Sequence, residues 1–191
     1  MAEPLIQHLR KFVAVKDEEI PAILHFFQAK SFKKKENLVE EGDMARYHYF
    51  VRKGCLRLFY VNDKGVEQTT QFAIENWWLT DYLAFQSRQP TRFYIQAVEN
   101  TDVLAIDLPA QEQLFEQFPQ MERYFRLIYQ RAFGASQWRI RYLYDLSREE
   151  LYYHFSDHYP EFIQRIPQFL LASFLGFTPE YLSEIRKKKR S

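Results

Sequence analysis

The sequence predicts an α+β fold in which helices flank an antiparallel β-domain and a helix-turn-helix ends the chain. Two changes of hydrophobic period indicate this. Apolar residues recur at helical spacing up to about residue 30, alternate from Ser31 to Ile106, and return to helical spacing after Asp107. The third observation is a glycine-centred pair of short helical patterns in residues 168–187. With 191 residues, 47% of them hydrophobic, the chain suffices for one large domain, or a medium and a small one.

The first 30 residues are predicted to be helical. Leu5, Leu9 and Phe12 share one helix face, and a second helix is expected after Asp17, a plausible N-cap.

The middle of the chain is predicted to form short strands separated by turns. Turn signals occur at 41–43, 53–54 and 62–65. The expected strands are 31–35, 47–51, 55–61, 66–74, 93–98 and 103–106. In the third strand, alternation predicts one face formed by Leu56, Leu58 and Tyr60, and the other formed by Arg57 and Phe59. Strands of this length and spacing indicate an antiparallel sandwich or barrel.

A candidate ligand-binding loop lies between two of these strands. It runs from Trp77 to Phe85 and is followed by 89–93. A short helix starting near Thr80 would direct free backbone amides at an anion, and Arg92 would add a charge. Alternatively, the Trp77–Trp78 pair simply plugs one end of the barrel.

Helices are expected after the β-domain. Asp107 is placed to cap a short helix, and Pro119 begins a much longer one. In the long helix, apolar and small residues follow the 4-3-4-3 spacing of a coiled-coil seam, which predicts a dimer interface. The seam residues are Met121, Phe125, Ile128, Ala132 and Ala135. The alternative is that this helix packs on its own β-domain, and a wide apolar face could serve both purposes.

Residues 147–150 match a capping box, so a small helical domain is expected to start there. Near its end, Gly176 stops one helix, and Thr178-Pro179 supplies the N-cap and first turn of the next. Ala172 leaves room for two helices to approach at a steep angle. Leu182 and Ile185 give the second helix a buried face. This pattern favours DNA recognition over an ordinary helical hairpin.

Several function classes are excluded or disfavoured by the composition. No catalytic residues are predicted, because nucleophile-elbow, phosphate-loop and dinucleotide motifs are absent. The single Cys55 excludes an intramolecular disulfide and a cysteine-ligated cluster within one chain. His154 and His158 are four apart, but without a third ligand no metal is expected. The start lacks leader features and no stretch is apolar enough for a bilayer, so we expect a cytoplasmic location without membrane contact.

The order of these parts resembles the Crp/Fnr family of bacterial regulators. The specific pieces are Glu41-Gly42-Asp43, Gly54-Cys55-Leu56-Arg57 and the stretch Leu171–Lys187. The resemblance implies an antiparallel β-roll that senses an effector, a dimerisation helix and a DNA-binding domain, at residues 1–118, 119–146 and 147–191. It also implies double-stranded DNA and a second copy of the chain as partners, and allows RNA polymerase.

The resemblance places an effector pocket in the candidate loop, with departures. The matching positions are Thr80, Asp81, Tyr82, Thr91, Arg92 and Phe93. Asp81 keeps a carboxylate suited to a ribose hydroxyl. The arginine comes one position late, which on a strand turns its side chain to the opposite face, and Phe93 is bulky where the family has alanine. Cyclic AMP is therefore expected to bind weakly or not at all. No cofactor is expected, although an unknown small-molecule effector is allowed.

On the recognition helix, the resemblance assigns eight residues to DNA. They are Thr178, Pro179, Glu180, Ser183, Glu184, Arg186, Lys187 and Lys188. Glu180 can accept from cytosine N4, whereas Glu184 would repel phosphates or pair with Arg186 or Lys188. The printed sequence stops shortly after this helix without a β-hairpin wing, so the basic residues 186–190 are expected to make the backbone contacts. The lead hypothesis is a dimeric DNA-binding regulator. The second is a small-molecule sensor or protein-interaction module with weak or lost DNA binding, and an enzyme on a barrel scaffold is a poor third.

Overall fold

A computed structural model describes the backbone of residues 2–190 and the side chains of residues 2–188. The chain forms two compact units. The first contains the residues up to Tyr60 together with Gln71–Gln130, and the second contains Val61–Thr70 together with the residues from Arg131 onward.

The N-terminal region is less helical than its apolar spacing predicts. Helix α1 spans Glu3–Arg10, a 3₁₀ turn spans Asp17–Glu19 and α2 spans Ile20–Leu24. Asp17 begins the 3₁₀ turn instead of capping a helix. The first strand already starts at Gln28, inside the segment expected to be helical.

Eight strands form two four-stranded sheets among the described residues. The strands are β1 Gln28–Phe32, β2 Asn37–Val39, β3 Tyr47–Lys53, β4 Leu56–Val61, β5 Glu67–Ala73, β6 Trp78–Leu79, β7 Tyr94–Ala97 and β8 Thr101–Asp107. Their orders are β1-β8-β3-β6 and β2-β7-β4-β5, and the registered pairs are antiparallel. Strands β2 and β6 escape prediction because three and two residues are too few to reveal a period.

The sheets enclose an apolar core, and strand β4 does not alternate as predicted. Leu56 and Leu58 face the core between the sheets, but Arg57 and Phe59 are buried as well, and Tyr60 is exposed. Arg57 donates through Nε to Gln96 Oε1 at 3.0 Å, and its guanidinium lies 3.9 Å from the centroid of the Phe59 ring. Burial of Arg57 therefore depends on the ring of Phe59, two residues along the same strand, and on a hydrogen-bond acceptor from β7 that is distant in sequence.

Helices α3, α4 and α5 span Tyr82–Ser87, Leu108–Gln117 and Pro119–Asp145. The first turns of α5 pack into the chain's own core rather than presenting a seam. Met121 and Phe125 are 0% and 1% exposed, in one cluster with α1 residues such as Leu5. This burial within the chain's own core does not favour a place for these two residues at a dimer interface, which stays a prediction. Ile128 is partly buried against the same cluster.

Beyond the first unit, α5 exposes a different set of large apolar side chains. They are Phe133, Trp138, Ile140, Leu143 and Tyr144. Ala132 and Ala135 of the predicted seam are exposed too, so their role stays a prediction.

The second unit holds the remaining helices and the tip of the β4–β5 hairpin. The helices are α6 Arg148–His158, α7 Pro160–Arg165, α8 Gln168–Leu175 and α9 Pro179–Arg190. The capping box before α6 forms as predicted, with Ser147 N donating to Glu150 Oε2 at 2.8 Å and Glu150 N to Ser147 Oγ at 3.3 Å. No helix within residues 2–190 is long and apolar enough to cross a bilayer.

Candidate functional site

The two C-terminal helices form a tight helix-turn-helix. Gly176 has φ 77°, a left-handed conformation that glycine adopts at little cost, and Phe177 N donates to Ala172 O at 2.9 Å across it. Ala172 is fully buried, as its small size predicts. Thr178 Oγ1 then accepts from Tyr181 N at 3.3 Å and caps α9. The scaffold predicted from sequence is therefore present in detail.

Most residues assigned to DNA lie on the outer face of α9. Thr178, Pro179, Glu180, Glu184, Lys187 and Lys188 are exposed, whereas Ser183 and Arg186 are half-buried. Arg186 Nη1 donates to Gln168 Oε1 at 3.2 Å, so this side chain leans on α8. The side chains of Lys189 and Arg190, and all of Ser191, lie outside the described residues.

The basic end of α9 already has an acidic partner. Lys188 Nζ lies 2.6 Å from Glu149 Oε1 on α6, and this contact raises the pKa of Lys188. This pair could not be predicted from the sequence, because Glu149 lies inside a capping box and has the position of an ordinary first-turn acid. The pair lowers the positive charge that this helix offers to phosphates.

The first helix of the pair is held by the β4–β5 hairpin. Strand β5 is an edge strand, and Ser173 of α8 bonds to its open backbone groups. Ser173 Oγ accepts from Thr69 N at 2.9 Å and donates to Glu67 O at 2.7 Å, and the Gln68 side chain donates to Ser173 O. The Ser173 hydroxyl thus bonds two backbone groups of the edge strand that a neighbouring strand would otherwise pair with.

Arg139 of α5 ties the same elements together. Its guanidinium donates to Thr70 O and, at 2.7 Å, to Phe174 O, and it lies 3.9 Å from the Phe174 ring centroid. Burial lowers the pKa of Arg139 to about 10, which leaves it charged at neutral pH. Within the second unit, Arg139 therefore joins the tip of the hairpin, the long helix and α8 through hydrogen bonds. The spacing of residues in the sequence does not predict these contacts.

Polar groups of the candidate effector loop form hydrogen bonds with one another. Asp81 is the N-cap of α3, with Oδ1 accepting from Ala84 N at 3.3 Å and Oδ2 accepting from Thr91 Oγ1 at 2.7 Å. The helix amides expected to face an anion thus include one already paired with a carboxylate. Thr80 is buried and donates to Tyr47 O at 3.0 Å.

Thr91 is fixed further by the backbone. Its N–H donates to Asp43 O at 2.8 Å, and its carbonyl accepts from Gly42 N at 2.9 Å. Arg92 is exposed, whereas Phe93 is half-buried and packs on the core between the sheets. The tryptophan pair does not act as one plug, because Trp78 is buried among aromatic rings and Trp77 is half-exposed.

His48 is a buried polar residue whose surroundings could not be predicted from the sequence. The rings of Trp78, Tyr82, Phe125 and Tyr129 surround it, and Tyr82 Oη lies 3.3 Å from its Nε2. No described residue pairs with its Nδ1. Burial lowers the pKa of His48 to about 3, so it is neutral at physiological pH.

Both histidines on α6 make contacts within the chain. His158 Nδ1 donates to His154 O at 2.7 Å, and the His154 ring packs on Tyr142 at 4.4 Å between centroids. Within the described part of the chain, no three histidine, cysteine or acidic residues gather as a metal site would require.

Comparison with known proteins agrees with this architecture. The pattern of the cyclic nucleotide-binding domain family matches residues 29–118. The transcriptional activator protein Anr of Pseudomonas aeruginosa is 34% identical over 99 residues, and FnrA of Stutzerimonas stutzeri is 33% identical over 113 residues. Residues 29–118 belong to the cyclic nucleotide-binding domain family, and the two relatives support a regulator of the Crp/Fnr type. These alignments cover 50% and 58% of this chain but only 38% and 44% of Anr and FnrA, so the chain spans less than half of either relative.

A solved structure shares the fold. FixK2 from Bradyrhizobium japonicum superposes with a TM-score of 0.70 at 17% identity, covering 85% of this chain and 83% of FixK2. Of the Crp/Fnr effector positions, the fold joins Asp81 to Thr91, turns the Thr80 hydroxyl to Tyr47 O and leaves Arg92 in solvent.

Proposed function

We propose that this Crp/Fnr family member is a dimeric DNA-binding transcription regulator, not an enzyme, and that it acts in the cytoplasm. The observation that carries the proposal is the intact helix-turn-helix, whose buried face is apolar and whose outer face is polar and exposed. Exposed polar residues on the second helix of such a pair suit major-groove reading. The relatives' names as activators extend the proposal to RNA polymerase as a partner.

The dimer in this proposal uses the exposed apolar stripe of α5. Phe133, Ile140 and Tyr144 lie within about 40° of one another around the helix axis, given 3.6 residues per turn. They remain 67%, 55% and 87% exposed in the single chain. A second copy of α5 would cover them and place two recognition helices side by side.

Cyclic AMP is not the effector in this proposal. A cyclic phosphate needs a positive charge and free donors, whereas this loop presents the Asp81 carboxylate, already bonded to Thr91 and Ala84. Arg92 points into solvent, and Phe93 fills the neighbouring space. The residues present therefore do not fit a cyclic nucleotide. Isothermal titration is expected to show no binding at micromolar cyclic AMP, and a micromolar dissociation constant would contradict this point.

Selection from a random double-stranded DNA pool tests the central proposal. We expect enrichment of an inverted repeat, since a two-fold dimer presents its recognition helices symmetrically. Lys187→Ala should then weaken binding to all selected sequences and reduce its salt dependence. Glu180→Ala should instead change the preferred base. If no sequence is enriched, the helix-turn-helix is not a DNA reader.

A second candidate function is a sensor or protein-interaction module that has lost strong DNA binding. The Lys188–Glu149 pair and the exposed acids Glu180 and Glu184 favour it, because they lower the positive charge at the DNA-facing surface. Glu149→Gln separates the two functions. In a DNA reader, freeing Lys188 should tighten binding, and Lys188→Ala should remove that gain. In a protein-interaction module, neither change should create DNA affinity.

A further inference from the structure

The first unit contains a cavity that is distinct from the residues assigned to an effector. Its volume is about 330 Å³, and it is lined by residues of β1, β2, β3 and the loop before β3. None of the effector positions from Thr80 to Phe93 lines it. The cavity lies where β1 and β2, each the outermost strand of its own sheet, leave the two sheets unjoined. Strand β2 is only three residues long and shifts register at Asn37, so it does not close this edge.

The cavity wall contains a hydrogen-bond donor with no partner among the described residues. Tyr49 is 2% exposed and lines the cavity, and no described residue accepts from or donates to its hydroxyl. Burial raises the pKa of Tyr49, so the phenol stays protonated and able to donate. Phe32 packs against its ring edge-to-face at 6.5 Å. Because this hydroxyl has no protein partner, it is available to a polar atom of a ligand in the cavity.

The mouth of the cavity is positively charged. Lys30 Nζ lies 4.1 Å from the Tyr47 ring centroid, which holds the ammonium at the wall, and Arg46 is exposed beside it. No carboxylate of the described residues lies within ion-pair distance of either cation. The single acid of the lining, Asp43, accepts from Glu40 N at 3.0 Å. Two cations against one acid favour an anionic ligand.

The inner walls are apolar. Phe32, Leu38 and Val39 offer a flat ring and two branched side chains to the body of a ligand. The volume is at the lower end of the range for small-molecule sites, roughly 300–1,000 Å³, which limits the ligand to about one ring.

We propose that this cavity binds a small single-ring carboxylic acid. Its carboxylate lies between Lys30 and Arg46 at the mouth, its ring packs against Phe32, Leu38 and Val39, and a polar atom at its far end accepts from the Tyr49 hydroxyl. This site is separate from the effector loop, and the proposal holds whether or not the chain binds DNA.

Titration calorimetry with three matched probes tests the site. 4-Hydroxyphenylacetate carries both the acid and the far hydroxyl, phenylacetate lacks the hydroxyl, and 4-hydroxyphenylacetamide lacks the charge. We expect 4-hydroxyphenylacetate to bind tightest and the amide to bind about tenfold more weakly or not at all. Equal affinity for acid and amide, or no binding of 4-hydroxyphenylacetate at millimolar concentration, would overturn the proposal.

Single substitutions locate the binding. Tyr49→Phe keeps the ring and should weaken 4-hydroxyphenylacetate about tenfold while leaving phenylacetate unchanged. Lys30→Gln should weaken both acids, whereas Lys34→Gln, at an exposed lysine outside the cavity, should weaken neither. Loss of binding in the Lys34 variant, or retention in both cavity variants, would place the ligand elsewhere and refute the site.

Discussion

At the scale of single residues, burial changes what a side chain does. His48 is isolated in its strand sequence, yet the fold surrounds it with aromatic rings and keeps it neutral. Sequence spacing could not show this, because its neighbours come from β6, α3 and α5. The titratable groups facing it are the phenols Tyr82 and Tyr129, whose own pKa values burial raises.

His48 makes stability depend on pH with a defined sign. Its pKa is near 6.5 in the unfolded chain and about 3 in the fold, so acid protonates only the unfolded chain. Lowering the pH from 7 to 5 should therefore cost about 2 kcal/mol of unfolding free energy from this residue. His48→Phe should remove that part of the loss in urea unfolding at the two pH values. His25→Gln, at an exposed histidine, should not.

Ser173 is a second residue whose role depends on contacts distant in sequence. Ser173→Ala leaves Thr69 N and Glu67 O of the edge strand without their hydroxyl partner, at a cost of about 1–2 kcal/mol in unfolding free energy. Hydrogen exchange at the Thr69 amide should accelerate at the same time. Ser136→Ala is the matched control, since that exposed hydroxyl bonds only its own helix at Ala132 O. Unchanged exchange at Thr69 would show that the hydroxyl does not hold the hairpin.

At the scale of elements, local signals predicted the caps and turns. The N-cap of α4, where Asp107 Oδ1 accepts from Ala110 N at 2.9 Å, the capping box of α6 and the turn at Gly176 all form as the sequence indicates. These features depend on residues within five positions of each other, so a linear pattern contains them. Strand β4 shows the limit, because burial of Arg57 needed Gln96 from another strand.

Two glycines of the second unit should respond to alanine with opposite signs. Gly176→Ala forces a side chain into the left-handed region and should destabilise by about 1 kcal/mol. Gly134→Ala lies inside α5, where the added carbon would meet no described atom within 4 Å beyond its chain neighbours and the backbone of its own helix, and it should stabilise by about 0.5–1 kcal/mol. Thermal or urea unfolding of the two variants checks this. The same sign for both would contradict the assigned turn at Gly176.

At the scale of the whole molecule, the choice of dimer seam remains open to measurement. Ala135 belongs to the seam expected from sequence, whereas Phe133 and Ile140 lie on the exposed stripe, roughly opposite Ala135 around the helix. Sedimentation equilibrium should show that Phe133→Glu with Ile140→Glu weakens dimerisation at least about a hundredfold, since two carboxylates would be buried. Ala135→Glu should have little effect. The reverse result would restore the sequence-based seam.

The sequence by itself determined the order of the parts and the helix-turn-helix scaffold, and its motifs indicated the resemblance to Crp/Fnr regulators. The order and the scaffold rest on local chemistry: period, caps, a turn glycine and small residues at fixed spacing. Only the tertiary structure decided which face of α5 is buried, because 4-3-4-3 spacing describes a helix face without saying what covers it. It also decided that Asp81 bonds Thr91, that Glu149 pairs with Lys188, and that Tyr49 faces a charged cavity. These outcomes depend on distances between elements far apart in the chain, which no linear pattern contains.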